Sequence, residues 1–206
     1  MNRVGGIVLC GGAGRRMGRP KAELPFGGEM LLRRIVRIVS TVVQPVVVAR
    51  RRGQTVPELP AGVLVVEDAV EDAGPLAGIA AGFAALADTC EAAFVCSCDH
   101  PLLVPQFVRA LIAFLGDAPG VVPSHEGREH PLLAVYRLET AAVVAEMLAA
   151  GQHRAQDFAR RCGARVVPAA DLCEAAPDLH SMLNVNDPEA YQGALRLLSG
   201  RGTASP

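Results

Sequence analysis

The amino-acid sequence predicts an α/β fold in a single domain: three layers, with a mostly parallel central sheet covered by helices on both faces. Two observations carry that prediction. Short, continuously apolar stretches such as PVVVA (45–49) and GVLVVED (62–68) alternate with stretches whose apolar residues recur at helical spacing. Strands buried on both faces read as such runs, and helices between them cover the faces. The length of 206 residues, 50% of them hydrophobic, suits one domain with a sizeable core. No internal repeat or linker divides it. The domain is expected to occupy 1–199, with 200–206 as a disordered tail.

The first strand opens the stretch VGGIVLCGGAGRRMGRPK (4–21). Ile7, Val8 and Leu9 run into Cys10 and then Gly11, Gly12 and Gly14, followed by Arg15, Arg16, Arg19 and Lys21. Glycine permits positive φ and close backbone approach, so amides at the end of a buried strand can converge on phosphate oxygens. The cations behind them add charge-assisted hydrogen bonds, arginine as a fork and lysine as a point charge. A polyphosphate cradle accounts for these residues better than a glycine-rich turn carrying basic residues for solubility, because four clustered cations repel one another without an anion. The stretch lacks GxxxxGK[ST], so it is not the P-loop of ATPases. Its glycine spacing does not give GxGxxG before a helix either.

A helix is expected over 29–42, where Leu31, Ile35, Ile38 and Val42 share one face. The strand at 45–49 follows and ends in Arg50, Arg51 and Arg52; a third buried strand spans 62–68. Next, Pro75 marks a helix start, with Gly74 before it and Gly78 and Gly82 four residues apart. That glycine face suits either a closely approaching ligand or tight helix–sheet packing. The segment AAFVCSCDHPLL (92–103) then delivers Asp99 at the end of an apolar strand, where ligands bind in open α/β sheets. A lone carboxylate there suits Mg²⁺, which takes one or two carboxylates plus substrate phosphates and water. Capping of the next helix is the other reading of Asp99, and Pro101 fits it. A helix over 105–115 and a strand over 120–123 complete the next unit. In EGREHPLLAVYR (126–137), a loop bearing Arg128, Glu129 and His130 leads into a strand. His130 is either a ligand or a turn histidine before proline. The span 138–150 is amphipathic. In LNVNDPEAY (183–191), Asp187 and Pro188 form a helix start.

Composition bounds the partners. The formal net charge of −1 argues against a general nucleic-acid or membrane-surface binder. No apolar run reaches about 18 residues, and the apolar part of the N-terminus is too short for a signal peptide. A cytoplasmic location is expected. The six cysteines sit in a chain too large and apolar to need disulfide staples. Cys96 and Cys98, two apart in a strand, point the same way as buried free thiols; a zinc site would want two further ligands at suitable spacing.

LCGGAGRRMGRPK resembles the L-x-G-G-x-x-x-R-M-G-x-x-K signature of nucleotidyltransferases. The chain as a whole, over about 4–198, is similar to molybdenum cofactor guanylyltransferases. GPLAG, CDHPLL, the His130-Pro131 segment, AGQHR and NVNDP stand in the order of that family's segments. The resemblance implies a Rossmann-like three-layer nucleotidyltransferase domain that transfers GMP from GTP to the terminal phosphate of molybdenum-molybdopterin and releases pyrophosphate. It implies nucleotide binding by Leu9, Cys10, Gly11, Gly12, Lys21, Asp68, Gly74, Gly78 and Asp99. Catalytic roles fall to Arg15, Arg16, Lys21 and Asp99, with Mg²⁺ on Asp99. His130, Arg154, Asn184 and Asn186 fall on the acceptor side. It also implies protein partners that hand over and receive the cofactor.

Three departures from the family pattern stand out. Only Arg19-Pro20 separates Gly18 from Lys21, Cys10 replaces the usual alanine, and Ala49 followed by three arginines replaces an asparagine-bearing stretch. The arginine run suits either added phosphate affinity or plain solvation. A cytidylyltransferase for molybdopterin or another small acceptor is the same-class alternative, although LCGG, GPLAG and NVNDP favour guanine. A non-catalytic cofactor carrier is the alternative from a different class, and Asp99 with Lys21 speaks against it.

Overall fold

The structure, a computed structural model, describes residues 3–11, 20–68, 74–174 and 177–202. Strand β1 (Val4–Leu9) is followed by a single 3-10 turn (Lys21–Glu23) and a small hairpin of β2 (Pro25–Phe26) and β3 (Glu29–Met30). Helix α1 (Leu31–Ser40), β4 (Val46–Arg50), β5 (Leu64–Glu67) and α2 (Gly74–Leu86) come next. Then come β6 (Ala92–Ser97), α3 (Pro105–Ala113), β7 (Gly120–His125), β8 (Arg128–Glu129) and β9 (Leu133–Arg137). Helices α4 (Ala141–Ala149) and α5 (Ala155–Arg161), β10 (Arg165–Pro168) and α6 (Pro188–Gly202) complete the chain.

The main sheet runs in the order β10-β7-β9-β6-β1-β4-β5, with β8 paired to β7. Parallel pairing joins β10 to β7 and links β6, β1, β4 and β5 in turn. Strand β9 is antiparallel to both neighbours. The register sets Leu9 against Ala49 on one side and Ser97 on the other. The carboxyl ends of β1, β4, β5 and β6 therefore share one sheet edge, the edge at which β9 begins.

Side chains alternate across the sheet with the strand period of two. Val8, Val48, Phe94 and Cys96 belong to one core, together with α1, α3 and Ala194 of α6. Ile7, Leu9, Val47, Ala93 and Val95 belong to the other, with α2, α4 and α5. Three layers follow from that alternation.

Several boundaries differ from expectation. Glu29 and Met30 extend into the hairpin, so α1 starts at Leu31. Strand β5 covers only Leu64–Glu67, and as the sheet edge it leaves Leu64 46% and Val65 43% exposed, so it is not a fully buried strand. Strand β7 runs on to His125 and returns through a tight turn, with Glu126 and Gly127 at positive φ, into β8. The last helix continues to Gly202, past the start of the expected tail, because its turn of 199–202 keeps helical backbone. Among the described residues, no helix is long and apolar enough to cross a membrane.

Candidate active site

The sheet edge gathers two groups of side chains. In the first group, the turn after β6 holds Asp99, the 3-10 turn after Pro20 begins with Lys21, and the segment before α6 holds Asn184 and Asn186. Lys21 Nζ donates to Asp99 Oδ2 at 3.1 Å and to Asn186 Oδ1 at 2.7 Å. The Val185 amide donates to the Asp99 carbonyl at 2.8 Å, so the two asparagines flank a backbone clamp on Asp99. Helix α3 starts at Pro105 with Val104 as its N-cap, which removes capping as the role of Asp99.

A cavity of about 300 Å³ adjoins Asp99; Arg128, His130, His153, Arg154 and Asn184 are among its lining residues. A second cavity of about 340 Å³ shares Arg128, His130 and Asn184 with it and adds His125, His180 and Leu183. His130 lines both cavities. Its amide donates to the Pro123 carbonyl at 2.9 Å.

The second group lies around the end of β1, beside β4 and α2. Cys10 donates its amide to the Ala49 carbonyl at 2.9 Å, and Cys98 donates to the Leu9 carbonyl at 3.0 Å. Gly78 packs so closely that an added Cβ would stand 2.9 Å from Leu9 Cδ2 and 3.2 Å from Asp68 Oδ1. Gly82 packs on Ile7 in the same way, at 2.6 Å, so that glycine serves helix–sheet packing. Gly74 takes φ +61° at the start of α2, a conformation suited to glycine. Gly12, Arg15 and Arg16 lie outside the described residues.

A family profile described as "MobA-like NTP transferase domain" matches residues 6–169. The chain belongs to that family. A probable molybdenum cofactor guanylyltransferase of Mycobacterium ulcerans is 37% identical over 161 residues, which cover 76% of this chain and 79% of the relative. A protein of the same description from Mycobacterium avium is 35% identical over 153 residues, 72% of this chain and 77% of the relative. The crystal structure of molybdopterin-guanine dinucleotide biosynthesis protein A from Archaeoglobus fulgidus shares the fold. Its TM-score is 0.78 at 23% identity, covering 95% of this chain and 99% of that one.

Electrostatics within this MobA-like transferase domain follow from burial. The Asp99 carboxyl is buried, which alone would raise it, but His100 and Lys21 hold it below its ordinary range. Among the described residues its Oδ1 has no hydrogen-bond partner, and neither does buried Asp68 Oδ1. Burial pushes the Asp68 carboxyl up, with Arg51 pulling against it. His130 is lowered to about 4 by burial and by the neighbouring His100, Arg128 and His125, so it stands neutral near pH 7. Burial and the Asp68 charge push the Cys10 thiol up to about 12. Cys96 and Cys98 are also buried and raised, in one core cluster as their spacing predicts. None of the three is a ready nucleophile.

The arginine run divides. Arg50 donates to Glu67 Oε1 at 2.9 Å and to the Gln54 carbonyl at 2.7 Å, and so joins β4 to β5. Arg51 instead lies along Gly11: its Cγ stands 3.5 Å from where a Gly11 Cβ would be, with Asp68 Oδ2 at 3.9 Å from the same point. Arg52 is exposed. The sequence reading did not assign Arg51, Gln54, Arg128 or His153 to the site. The EGREH turn carried a signal for Arg128, the AGQHR segment for His153 and the arginine run for Arg51; Gln54 reaches the edge through folding alone.

Proposed function

We propose that the chain transfers GMP from GTP to the terminal phosphate of molybdenum-molybdopterin. The observation that supports this best is the contact of Lys21 with both Asp99 and Asn186. It joins the residue closing the glycine-rich loop to the strand-end carboxylate and to the acceptor-side asparagine. An acceptor phosphate oxygen attacks the α-phosphorus, an O–P bond forms, and the bond to the β-phosphate bridge breaks as pyrophosphate leaves with the electron pair. The attacking group is already anionic, so no covalent enzyme intermediate is needed.

This chain's task is to hold two polyanions in line and to offset their charge. Lys21, the Gly11 amide and the loop arginines Arg15 and Arg16 serve the triphosphate; Arg51 adds a cation beside Gly11. Leu9, Cys10, Gly11, Gly74 and Gly78 serve the nucleotide, as does Gly12 of the loop, and Asp68 offers an oxygen that has no hydrogen-bond partner among the described residues as an acceptor for base or ribose donors. Arg154, neutral His130, Asn184 and Asn186 serve the acceptor.

The donor set fits Mg²⁺ arriving with the triphosphate. Buried Asp99 Oδ1 lacks a hydrogen-bond partner among the described residues, an arrangement a cation relieves. Among those residues no group of three or more His, Cys, Asp or Glu side chains forms a metal site. Asp99 would hold the ion, and when bound it supplies Lewis-acid charge neutralisation at the phosphates.

We further read the protein as cytoplasmic, receiving molybdopterin from the enzymes that make it and passing the dinucleotide to molybdoenzymes. The test is incubation with [α-³²P]GTP, MgCl₂ and molybdenum-molybdopterin. Label in a pterin–guanine dinucleotide supports the reading, while label remaining in GTP refutes it.

A further inference from the structure

The peptide that launches the glycine-rich loop is held from outside the loop. Cys10 N–H donates to the Ala49 carbonyl at 2.9 Å, which continues the sheet. The Cys10 carbonyl, however, accepts from the Gln54 side-chain amide at 3.0 Å. Gln54 sits 44 residues away in sequence, half-buried in the turn that follows β4.

Both ends of the Gln54 side chain are used. While Nε2 holds Cys10, Oε1 accepts the Arg51 amide at 3.2 Å. The Gln54 amide donates to the Arg51 carbonyl at 3.0 Å, and its own carbonyl accepts from Arg50 Nη1 at 2.7 Å. Arg50 is in turn tied to Glu67 on β5, whose Oε1 also accepts the Gly53 amide at 3.3 Å. The glutamine is therefore immobilised by the sheet edge before it reaches the loop.

In a planar trans peptide the carbonyl and the following N–H point in opposite directions. Drawing the Cys10 carbonyl towards Gln54 therefore turns the Gly11 N–H away from it. Arg51, whose backbone Gln54 also holds, lays its stem along Gly11. We propose that Gln54 is a positioning residue for nucleotide binding: it orients the Cys10–Gly11 peptide, and with it the first amide of the phosphate cradle. The inference rests on the reading that the loop receives a nucleoside triphosphate.

The test compares wild type with Gln54→Leu and Gln54→Glu. Calorimetric titration with GTP and MgCl₂ is set beside steady-state KM values for both substrates. Gln54→Leu loses the donor, and the Kd for GTP rises about 5- to 10-fold while the KM for the acceptor stays within about twofold. Gln54→Glu presents a carboxylate to the Cys10 carbonyl at pH 8 and weakens GTP at least as much. As pH falls towards 5 the new carboxyl regains a proton to donate, and its deficit relative to wild type shrinks. If Gln54→Leu fails to fold, the pH dependence of Gln54→Glu decides the matter. Wild-type GTP affinity in a folded variant, or an equal loss for both substrates, overturns the inference and leaves the transferase reading standing. A wild-type protein that binds no nucleoside triphosphate overturns both.

Discussion

Asp99 shows how a single side chain can be read from two directions. In sequence it follows an apolar strand, which suits both a metal ligand and a helix cap; only the start of α3 at Pro105 removes the cap. Asp99→Asn keeps the shape and removes the charge, so kcat is expected to fall about 10²- to 10³-fold with the fold intact, as single-turnover rates would show. Lys21→Ala takes away a charge-assisted contact, and the KM for GTP should rise about 10- to 100-fold. His130 gives a pH prediction. Its folded pKa of about 4 lies below the ordinary 6.5, so between those values the unfolded chain binds more protons. The stability linked to neutral His130 is complete above pH 6.5 and is lost as pH falls towards 4. Comparing urea unfolding at pH 8 and pH 5, His130→Gln should gain about 1–2 kcal/mol on wild type at the lower pH. Asp68 and Lys21 stand out in the sequence because each borders a recognisable segment. Arg51 and Gln54 do not: a run of arginines and a glutamine in a turn carry no periodicity that tells which side chain meets Gly11.

At the scale of elements, apolar runs announced the strands, yet they carried no information on which strand lies at the edge. GVLVVED reads as buried, but among the described residues β5 pairs only with β4, and Leu64 and Val65 are exposed. The reversal of β9 was equally hidden, since LLAVYR is as apolar as the parallel strands of the sheet. The glycine face of α2 was visible, and its two readings separate on packing. Gly82 admits Ile7, three of whose side-chain carbons would lie within 2.8 Å of an added Cβ. Ile7 is fully buried and has little room to shift. Gly82→Ala is therefore expected to cost about 1–3 kcal/mol through overpacking, measurable by chemical denaturation. Helix α6 started where the sequence placed it: Asp187 Oδ1 accepts the Ala190 amide at 2.8 Å, and Pro188 opens the helix.

At the scale of the molecule, the central sheet brings the ends of β1, β4, β5 and β6 to one edge beside two cavities, where Lys21 joins Asp99 to Asn186. Among the described residues no group of three or more His, Cys, Asp or Glu side chains could hold a metal, so the proposed Mg²⁺ would belong to the reaction and not to the fold. Chelation with EDTA should abolish turnover while the melting temperature moves by less than about 2 °C, because binding stabilises a fold only in proportion to occupancy and affinity. The proposed base choice assigns guanine to the residues around Leu9, Gly78 and Asp68, and it is the central claim. Pyrophosphate release with molybdenum-molybdopterin and MgCl₂, measured in parallel for GTP, CTP and ATP, tests it most directly. Release with GTP alone is the predicted result; release with CTP in preference, or with none of the three, would contradict it.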